Sequence, residues 1–188
     1  MRRISVGLCG MTKSGKDFVA GVMARREFGR FRSYNLTERV LSPISLVRNQ
    51  PTDRDGLRRL LTKLDNIANE MLFVQVIADG ADRIVLPNVR MLSTIDFWKH
   101  KSGYEFFLVK IDASEQTRYQ RYVEMRRSID PRVASVEEFR VSVDAKDLNV
   151  NELDIILKKG RFAYVIRNNE GDNTDLQVKE LVRDVLRL

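Results

Sequence analysis

The sequence predicts an α/β fold of three layers, in which helices cover both faces of a mainly parallel sheet of about five strands. Two observations support this prediction. Short apolar runs alternate with longer amphipathic segments from residue 4 to residue 188, which is the pattern of parallel strands joined by crossover helices. No linker-like or repetitive segment divides the 188 residues, so we expect one domain over 1–188 with a substantial core.

Five segments have the composition of strands. Each is short and largely apolar, and each is bounded by glycine, proline or polar residues. The strongest of them has the sequence YEFFLVKI. The predicted strands are residues 4–9, 31–34, 83–86, 104–111 and 162–166.

Helices are predicted between these strands and after the last one. The clearest is an amphipathic stripe of leucine, isoleucine and methionine over 57–72, whereas the helix over 36–47 is expected to be interrupted at Pro43. Further helices are predicted from residue 16 onward and over 93–101, 114–127, 135–146, 149–159 and 176–188.

Composition limits the classes of partner. The net charge is +7 and the isoelectric point is near 9.7, which favours anionic partners, either phosphorylated metabolites or nucleic acid. No apolar stretch approaches the roughly 18 residues of a membrane span, so no membrane partner is expected. Cys9 is the single cysteine and cannot form an internal disulfide, so we expect a cytoplasmic protein.

The motif GMTKSGKD at 10–17 fits the phosphate-binding pattern G-x-x-x-x-G-K, and it lies between an apolar strand and an amphipathic helix. Its glycines let backbone N–H groups point inward as an anion nest, and the helix dipole adds positive potential. Lys16, expected to be exposed at the helix start, would meet the β- and γ-phosphates. A glycine turn with a surface lysine is the alternative. The candidate nucleotide-binding residues here are Gly10, Thr12, Lys13, Ser14, Gly15, Lys16, Asp17 and Phe18.

Asp17 stands where the pattern has Ser or Thr, whose hydroxyl usually binds magnesium. Its carboxylate could take Mg²⁺ directly or through water, which makes Asp17 the candidate metal ligand. An acid that only favours the helix dipole is an equal alternative. The expected cofactors are ATP and Mg²⁺.

With this loop, the sequence resembles the nucleoside-monophosphate-kinase-like P-loop enzymes, including deoxynucleoside monophosphate kinases, phosphomevalonate kinase and dephospho-CoA-kinase-like proteins. The segments 84–90, 111–121 and 165–171 add to the resemblance, because they follow in the family's order. The resemblance implies a P-loop kinase fold with a helical lid, a nucleotide contact at Arg118, and Asn168 and Gly171 in a loop against the adenine. Asn88 departs from the family, which has an acid near magnesium at this place.

An arginine-rich segment at 118–135 is the candidate lid. Phosphoryl transfer depends on positioning and charge neutralisation, and Asp130-Pro131 breaks the helix so that the segment could close over phosphates. Arg118 and Arg121 can share one helix face, whereas the adjacent Arg126 and Arg127 cannot. A solvated basic surface is the alternative. The candidate catalytic residues are Lys16, Arg121, Arg126 and Arg127.

The acceptor region is expected at 34–80, where related kinases have their acceptor-binding helices. Arg39, Arg54 and Arg58 could clamp an acceptor phosphate, with surface positions as an equal alternative. Asn88 and Arg90 follow a strand's carboxyl end, where open α/β sheets bind ligands.

These observations predict an ATP-dependent kinase that phosphorylates a small, already phosphorylated metabolite. A (deoxy)nucleoside monophosphate or a dephospho-CoA-like compound is the expected acceptor. A catalytically degenerate nucleotide-binding protein and a nucleic-acid-binding or nucleic-acid-modifying P-loop protein are the alternatives, the latter because of the net charge of +7. The oligomeric state does not follow from the sequence.

Overall fold

A computed structural model describes residues 2–25, 30–47, 54–127, 135–150 and 152–187. The described part forms five strands that pair only in parallel, in the spatial order β2-β3-β1-β4-β5. The predicted fold class is therefore confirmed. The strands are β1 (Ile4–Cys9), β2 (Arg32–Ser33), β3 (Arg83–Leu86), β4 (Glu105–Asp112) and β5 (Tyr164–Arg167).

The described helices occupy the segments between the strands, and the last one follows β5. They are α1 (Lys16–Ala24), α2 (Ser42–Val47), α3 (Arg54–Ala78), α4 (Leu92–Asp96), α5 (Glu115–Arg127), α6 (Val136–Phe139), α7 (Ala145–Val150), α8 (Leu153–Lys159) and α9 (Thr174–Arg187). Wider π-helical turns, Thr37–Leu41, Phe97–Lys101 and Arg140–Asp144, run directly into or out of α2, α4, α6 and α7. No described helix combines the length and the apolar character that crossing a bilayer requires.

The helix over 36–47 differs from its expected form. The chain passes from the π-helical turn into α2 without leaving helical geometry, and the N–H of Ser42 bonds to the carbonyl of Thr37. Pro43 therefore follows directly after the π-helical turn, and its missing N–H removes one bond from the helical ladder without ending the helix. The proline therefore marks a change of helical pitch and does not break the helix.

Two apolar clusters, one on each face of the sheet, make the three layers. One packs β1 and β4 against α1 and α9, with Val6, Met23 and Val178 fully buried. The other packs β3 against α3, α4 and α8, with Leu72 and Ile156 among its buried residues. Because β1 has neighbours on both sides and helices on both faces, all six of its residues are buried, which explains why its sequence is largely apolar.

The parallel pairing brings the carboxyl ends of all five strands to one edge of the sheet. The loops that follow β1, β3 and β5 begin there with Gly10, Pro87 and Asn168. Ligands of open α/β sheets bind outside this edge. The predicted phosphate loop lies at its centre, because β1 is the middle strand.

Candidate functional site

The loop between β1 and α1 requires glycine at its last position. Gly15 lies immediately before α1 in the left-handed region, with φ 94° and ψ 27°. A Cβ atom built on it would lie 2.0 Å from Nδ2 of Asn168 and 3.5 Å from Nη1 of Arg121. Both the backbone angle and the surrounding side chains therefore exclude a larger residue.

Gly10, at the first position of the loop, is required for a different reason. A Cβ atom here would lie 2.4 Å from the carbonyl oxygen of Ile111 on β4 and 2.8 Å from Oγ of Ser14. The loop can therefore pass close to the neighbouring strand only as glycine. The hydroxyl of Ser14 is buried and has no hydrogen-bond partner among the described residues.

Lys16 is buried, which corrects the expectation that it would be exposed at the start of α1. Its side chain folds back over the loop, and Nζ donates hydrogen bonds of 2.9 Å to the carbonyls of Gly10 and Met11. Burial, and then the positive charge of Arg90, lower its pKa from 10.5 to about 7, although Asp147 acts in the opposite direction. Without an anionic ligand, this ammonium group is thus held by carbonyls alone and is easily neutralised.

The outer side of the loop is held by Asn168 and Arg121. Nδ2 of Asn168 donates to the carbonyl of Ser14 at 2.8 Å. Nη1 of Arg121 lies 3.2 Å from the carbonyl of Lys13 and 3.3 Å from that of Ser14, while Nη2 donates to the carbonyl of Asn168 at 2.8 Å. Asn168 and Arg121 therefore bind the carbonyls on the outer side of the loop. The backbone N–H groups on the other side are left to bind an anion.

Arg90 joins the loop after β3 to the phosphate loop. Its Nε donates to Oδ1 of Asn88 at 2.8 Å, and its Nη1 donates to Oδ1 of Asp147 at 2.8 Å. Its Nη2 lies 3.3 Å from Oγ1 of Thr12. The backbone N–H of Thr12 donates to the other oxygen of Asp147 at 2.7 Å.

These side chains surround a pocket of about 290 Å³. Four of its lining residues are basic and one, Asp17, is acidic. The charge and the size of the pocket suit a polyphosphate chain, which needs several cations and backbone donors. The lining residues are Thr12, Lys13, Gly15, Lys16, Asp17, Asn35, Asn88, Arg90 and Arg121.

Arg118, implied by the family resemblance to contact nucleotide, contacts protein groups in this structure. Its guanidinium forms a two-pronged ion pair with Asp144, with Nη2 2.8 Å from Oδ2, and Nε lies 3.3 Å from the carbonyl of Ala113. It also lies over the ring of Phe139, 5.5 Å from the centroid. These contacts bury Arg118 and tie α5 to the segment that leads into α7.

The other arginines of the candidate lid occupy different positions. Nη1 of Arg126 donates to the hydroxyl of Tyr122 at 3.0 Å, one turn earlier on α5. The side chain of Arg127 and residues 128–134 lie outside the described residues. Arg121 is thus the one of these three candidate catalytic arginines that the structure brings to the pocket, within the described part of the chain.

The candidate acceptor residues likewise do not all reach the pocket. Arg39 lies over the ring of Tyr34, 4.9 Å from its centroid, and 3.8 Å from Oδ2 of Asp79. The side chains of Arg54 and Arg58 lie outside the described residues. Asn88 and Arg90 line the pocket.

Phe18 and Gly171 are exposed and do not line this pocket. Asp17 is also exposed but reaches the pocket edge from the first turn of α1. The described residues contain no group of three or more His, Cys, Asp or Glu side chains that could hold a metal ion. A magnesium ion here would therefore depend on phosphate oxygens, as it commonly does.

Two site residues were missed by the sequence analysis. Asn35 follows β2 at the same edge of the sheet, and its place after a short strand could have indicated it. Asp147 is fully buried on α7. The sequence does contain a signal for Asp147. Phe139, Val143 and Asp147 recur at helical spacing, so an acid occupies one position of an otherwise apolar helix face. All three residues are buried in the structure.

No protein-family model matches the sequence, and no curated protein sequence does either. Solved structures do match over nearly the whole chain. The APS kinase CysC of Mycobacterium tuberculosis, solved with AMPPNP and APS, is 14% identical, with 100% of this chain and 99% of that chain covered and a TM-score of 0.58.

Two further structures match over a similar length. A shikimate kinase of Bacteroides thetaiotaomicron is 12% identical, with 98% of this chain and 99% of that one covered and a TM-score of 0.57. A putative kinase of Chloroflexus aurantiacus is 15% identical, with 98% and 96% covered and a TM-score of 0.59. At these identities the likeness establishes the fold, and this chain has the fold of the P-loop kinases.

Proposed function

We propose that this protein is an ATP-dependent small-molecule kinase that transfers the γ-phosphoryl group of ATP to a phosphorylated metabolite. The observation that carries the proposal is the phosphate loop itself, which has Gly15 in the left-handed region, Lys16 at the start of α1 and a pocket with four basic lining residues. A glycine turn without a ligand would need neither a buried lysine nor two further basic side chains, one from the loop after β3 and one from α5, that line the same pocket.

The residues at the pocket would have different roles in phosphoryl transfer. The loop backbone and Lys16 bind the β- and γ-phosphates, and Lys16 leaves the carbonyls of Gly10 and Met11 to do so. Arg121, already at the loop, holds its outer carbonyls and adds positive charge. Asp17 and phosphate oxygens would hold Mg²⁺, which would neutralise part of the phosphate charge.

The reaction needs no covalent intermediate with the protein. An oxygen of the acceptor forms a new bond to the γ-phosphorus while the bond from that phosphorus to the β,γ-bridging oxygen breaks, and ADP leaves with the electron pair. A phosphate acceptor attacks as an anion, whereas a hydroxyl acceptor releases its proton to water. Arg126 and Arg127 are proposed to close over the transferred group from the lid at 118–135. Because these arginines would stabilise the negative charge most strongly in the transition state, they would raise kcat.

The proposed acceptor is a (deoxy)nucleoside monophosphate or a dephospho-CoA-like compound. An acceptor that already carries phosphate matches Arg90, which reaches the pocket from the carboxyl end of β3. Arg39, Arg54 and Arg58, in the region 34–80, are proposed to clamp an acceptor phosphate. Adenine is proposed to bind near the loop that contains Asn168 and Gly171.

A second candidate is a nucleotide-binding protein without turnover. Asn88 favours it, because the family that the sequence resembles has an acid near magnesium at this place, whereas this amide accepts a hydrogen bond from Arg90. A nucleic-acid-binding protein is a third alternative, because the net charge is +7. Binding to arbitrary DNA that weakens steeply with added salt would favour that third alternative.

An acceptor panel tests the proposal. The protein is incubated with labelled ATP, magnesium and, separately, each ribo- and deoxynucleoside monophosphate, dephospho-CoA and phosphomevalonate. Transfer of label to one acceptor class, lost in Lys16→Met and kept in Lys158→Met, supports a kinase. Lys158 is a suitable control because it pairs with Asp154 on the surface of α8. ATP binding without transfer to any acceptor would support the degenerate protein.

A further inference from the structure

Asp147 is a fully buried carboxylate at the phosphate loop. One of its oxygens accepts the backbone N–H of Thr12 at 2.7 Å, and the other accepts Nη1 of Arg90 at 2.8 Å. It comes from α7, about 130 residues after the loop in the chain. Burial of a charge is costly unless the charge is paired, so these contacts must be maintained for the site to fold.

The carboxylate lies behind the pocket and does not line it. Arg90 lies between them, with its side chain 11% exposed while that of Asp147 is 0% exposed. Each of the three guanidinium nitrogens of Arg90 has a described partner, namely Asn88, Asp147 and Thr12. A guanidinium with a partner at each of its three nitrogens is held in one orientation, and in that orientation Arg90 lines the pocket.

We propose that Asp147 is the positioning residue of this site. It orients Arg90 toward an anionic ligand oxygen and fixes the first turn of the phosphate loop at Thr12. This inference rests on the proposed function, since it gives Arg90 the task of meeting a phosphate group. Its physical basis is preorganisation, because a phosphate then meets an arginine that has already lost its side-chain freedom.

Asp144 provides a matched comparison within the same helical segment. It lies three residues before Asp147 and also forms an ion pair with an arginine, Arg118, although Asp144 is only partly buried. Neither Asp144 nor Arg118 lines the pocket. Neutralising either acid therefore leaves one arginine without its partner, but only the change at Asp147 alters a group that faces the ligand.

The test compares Asp147→Asn with Asp144→Asn. The probe is inorganic pyrophosphate with magnesium, measured by titration calorimetry on the full chain, and the melting temperature of each variant is recorded. We expect both variants to melt at lower temperature. Asp147→Asn should bind pyrophosphate about tenfold more weakly, about 1.4 kcal/mol, whereas Asp144→Asn should stay within about twofold of the wild type.

A double-mutant cycle separates positioning from a merely structural role. Arg90→Lys keeps the positive charge but cannot keep all three contacts. If Asp147 acts through Arg90, the double variant Asp147→Asn/Arg90→Lys should bind no more weakly than the weaker single variant. Additive losses would show that Asp147 does not act through Arg90 and would overturn the inference.

The remaining outcomes also decide the question. Wild-type binding by Asp147→Asn would mean that the carboxylate does not orient Arg90, and tighter binding would mean that it only repels the ligand. Equal losses in both Asn variants would mean a general stability effect. Each of these outcomes overturns the inference. If Asp147→Asn does not fold, Asp147→Glu is measured in its place. Its longer side chain displaces the carboxylate, so pyrophosphate binding should weaken at least about threefold. A wild-type protein that binds neither pyrophosphate nor ADP with magnesium would instead refute the proposed function.

Discussion

Nucleotide affinity should fall as the pH rises above neutrality, because of the state of Lys16. Burial and the charge of Arg90 lower the pKa of Lys16 to about 7 in the free protein. Bound phosphates favour the charged ammonium and raise this pKa, so nucleotide binding takes up a proton wherever the free lysine is neutral. The sign follows directly, since the affinity is highest when Lys16 is already charged and falls as alkali removes its proton.

The magnitude follows from the same pKa. With a free-state pKa of about 7, roughly a quarter of the molecules carry the charge at pH 7.5, and about 1% carry it at pH 9. If the bound lysine stays protonated throughout, the affinity for ADP-magnesium should fall about 25-fold over this range, about 1.9 kcal/mol. At pH 8, each bound nucleotide should take up about 0.9 proton.

Calorimetry measures both quantities. ADP-magnesium is titrated into the protein between pH 7.5 and 9, where the phosphates of the nucleotide are already ionised. Buffers of different ionisation enthalpy give the number of protons taken up. Lys16→Arg is the control, because a guanidinium keeps its charge over this whole range and should give an affinity that does not depend on pH.

A flat affinity for the wild type, with no proton uptake, would refute the reasoning. It would mean that Lys16 is already charged in the free protein, held by the carbonyls of Gly10 and Met11. A pH dependence of the same size in Lys16→Arg would assign the effect to another group.

Three further predictions concern the loop and the arginines. Gly15→Ala should abolish ADP binding by calorimetry and lower the melting temperature, because its Cβ would displace Asn168. Gly80→Ala, also at positive φ but with nothing within 4 Å, should cost only the backbone penalty of about 1 kcal/mol and keep ADP affinity. Arg121→Met should weaken ADP binding by about tenfold, since loop carbonyls lose their donor; unchanged affinity would contradict this role. At least one of Arg126→Ala and Arg127→Ala should lower kcat about tenfold or more with the acceptor found in the panel, and wild-type kcat in both and in Arg121→Ala would contradict the lid.

Much of the fold could be predicted from local sequence. The apolar runs at 4–9 and 104–111 have the composition of buried parallel strands, and they lie side by side in the sheet as β1 and β4. The phosphate loop at 10–17 could be predicted equally well, because its glycine and lysine spacing fits a known pattern between a strand and a helix. Such features depend on neighbours in the chain or on the period of apolar residues, and both are visible in a sequence.

The partners of the charged side chains could not be predicted from the sequence, because they depend on distances between remote segments. Arg118 and Arg121 lie three residues apart on α5, yet one pairs with Asp144 while the other holds the phosphate loop. Lys16 was expected at the surface and is buried instead.

The sequence by itself therefore determined the sheet, its helices and the loop that meets phosphate. Tertiary structure decided which charges meet there. Asp147 reaches Thr12 from a helix that is distant in the chain, and no local pattern records that distance. The physical reason is that hydrophobic periodicity and glycine geometry are short-range properties, whereas ion pairing depends on the packed arrangement of the whole domain.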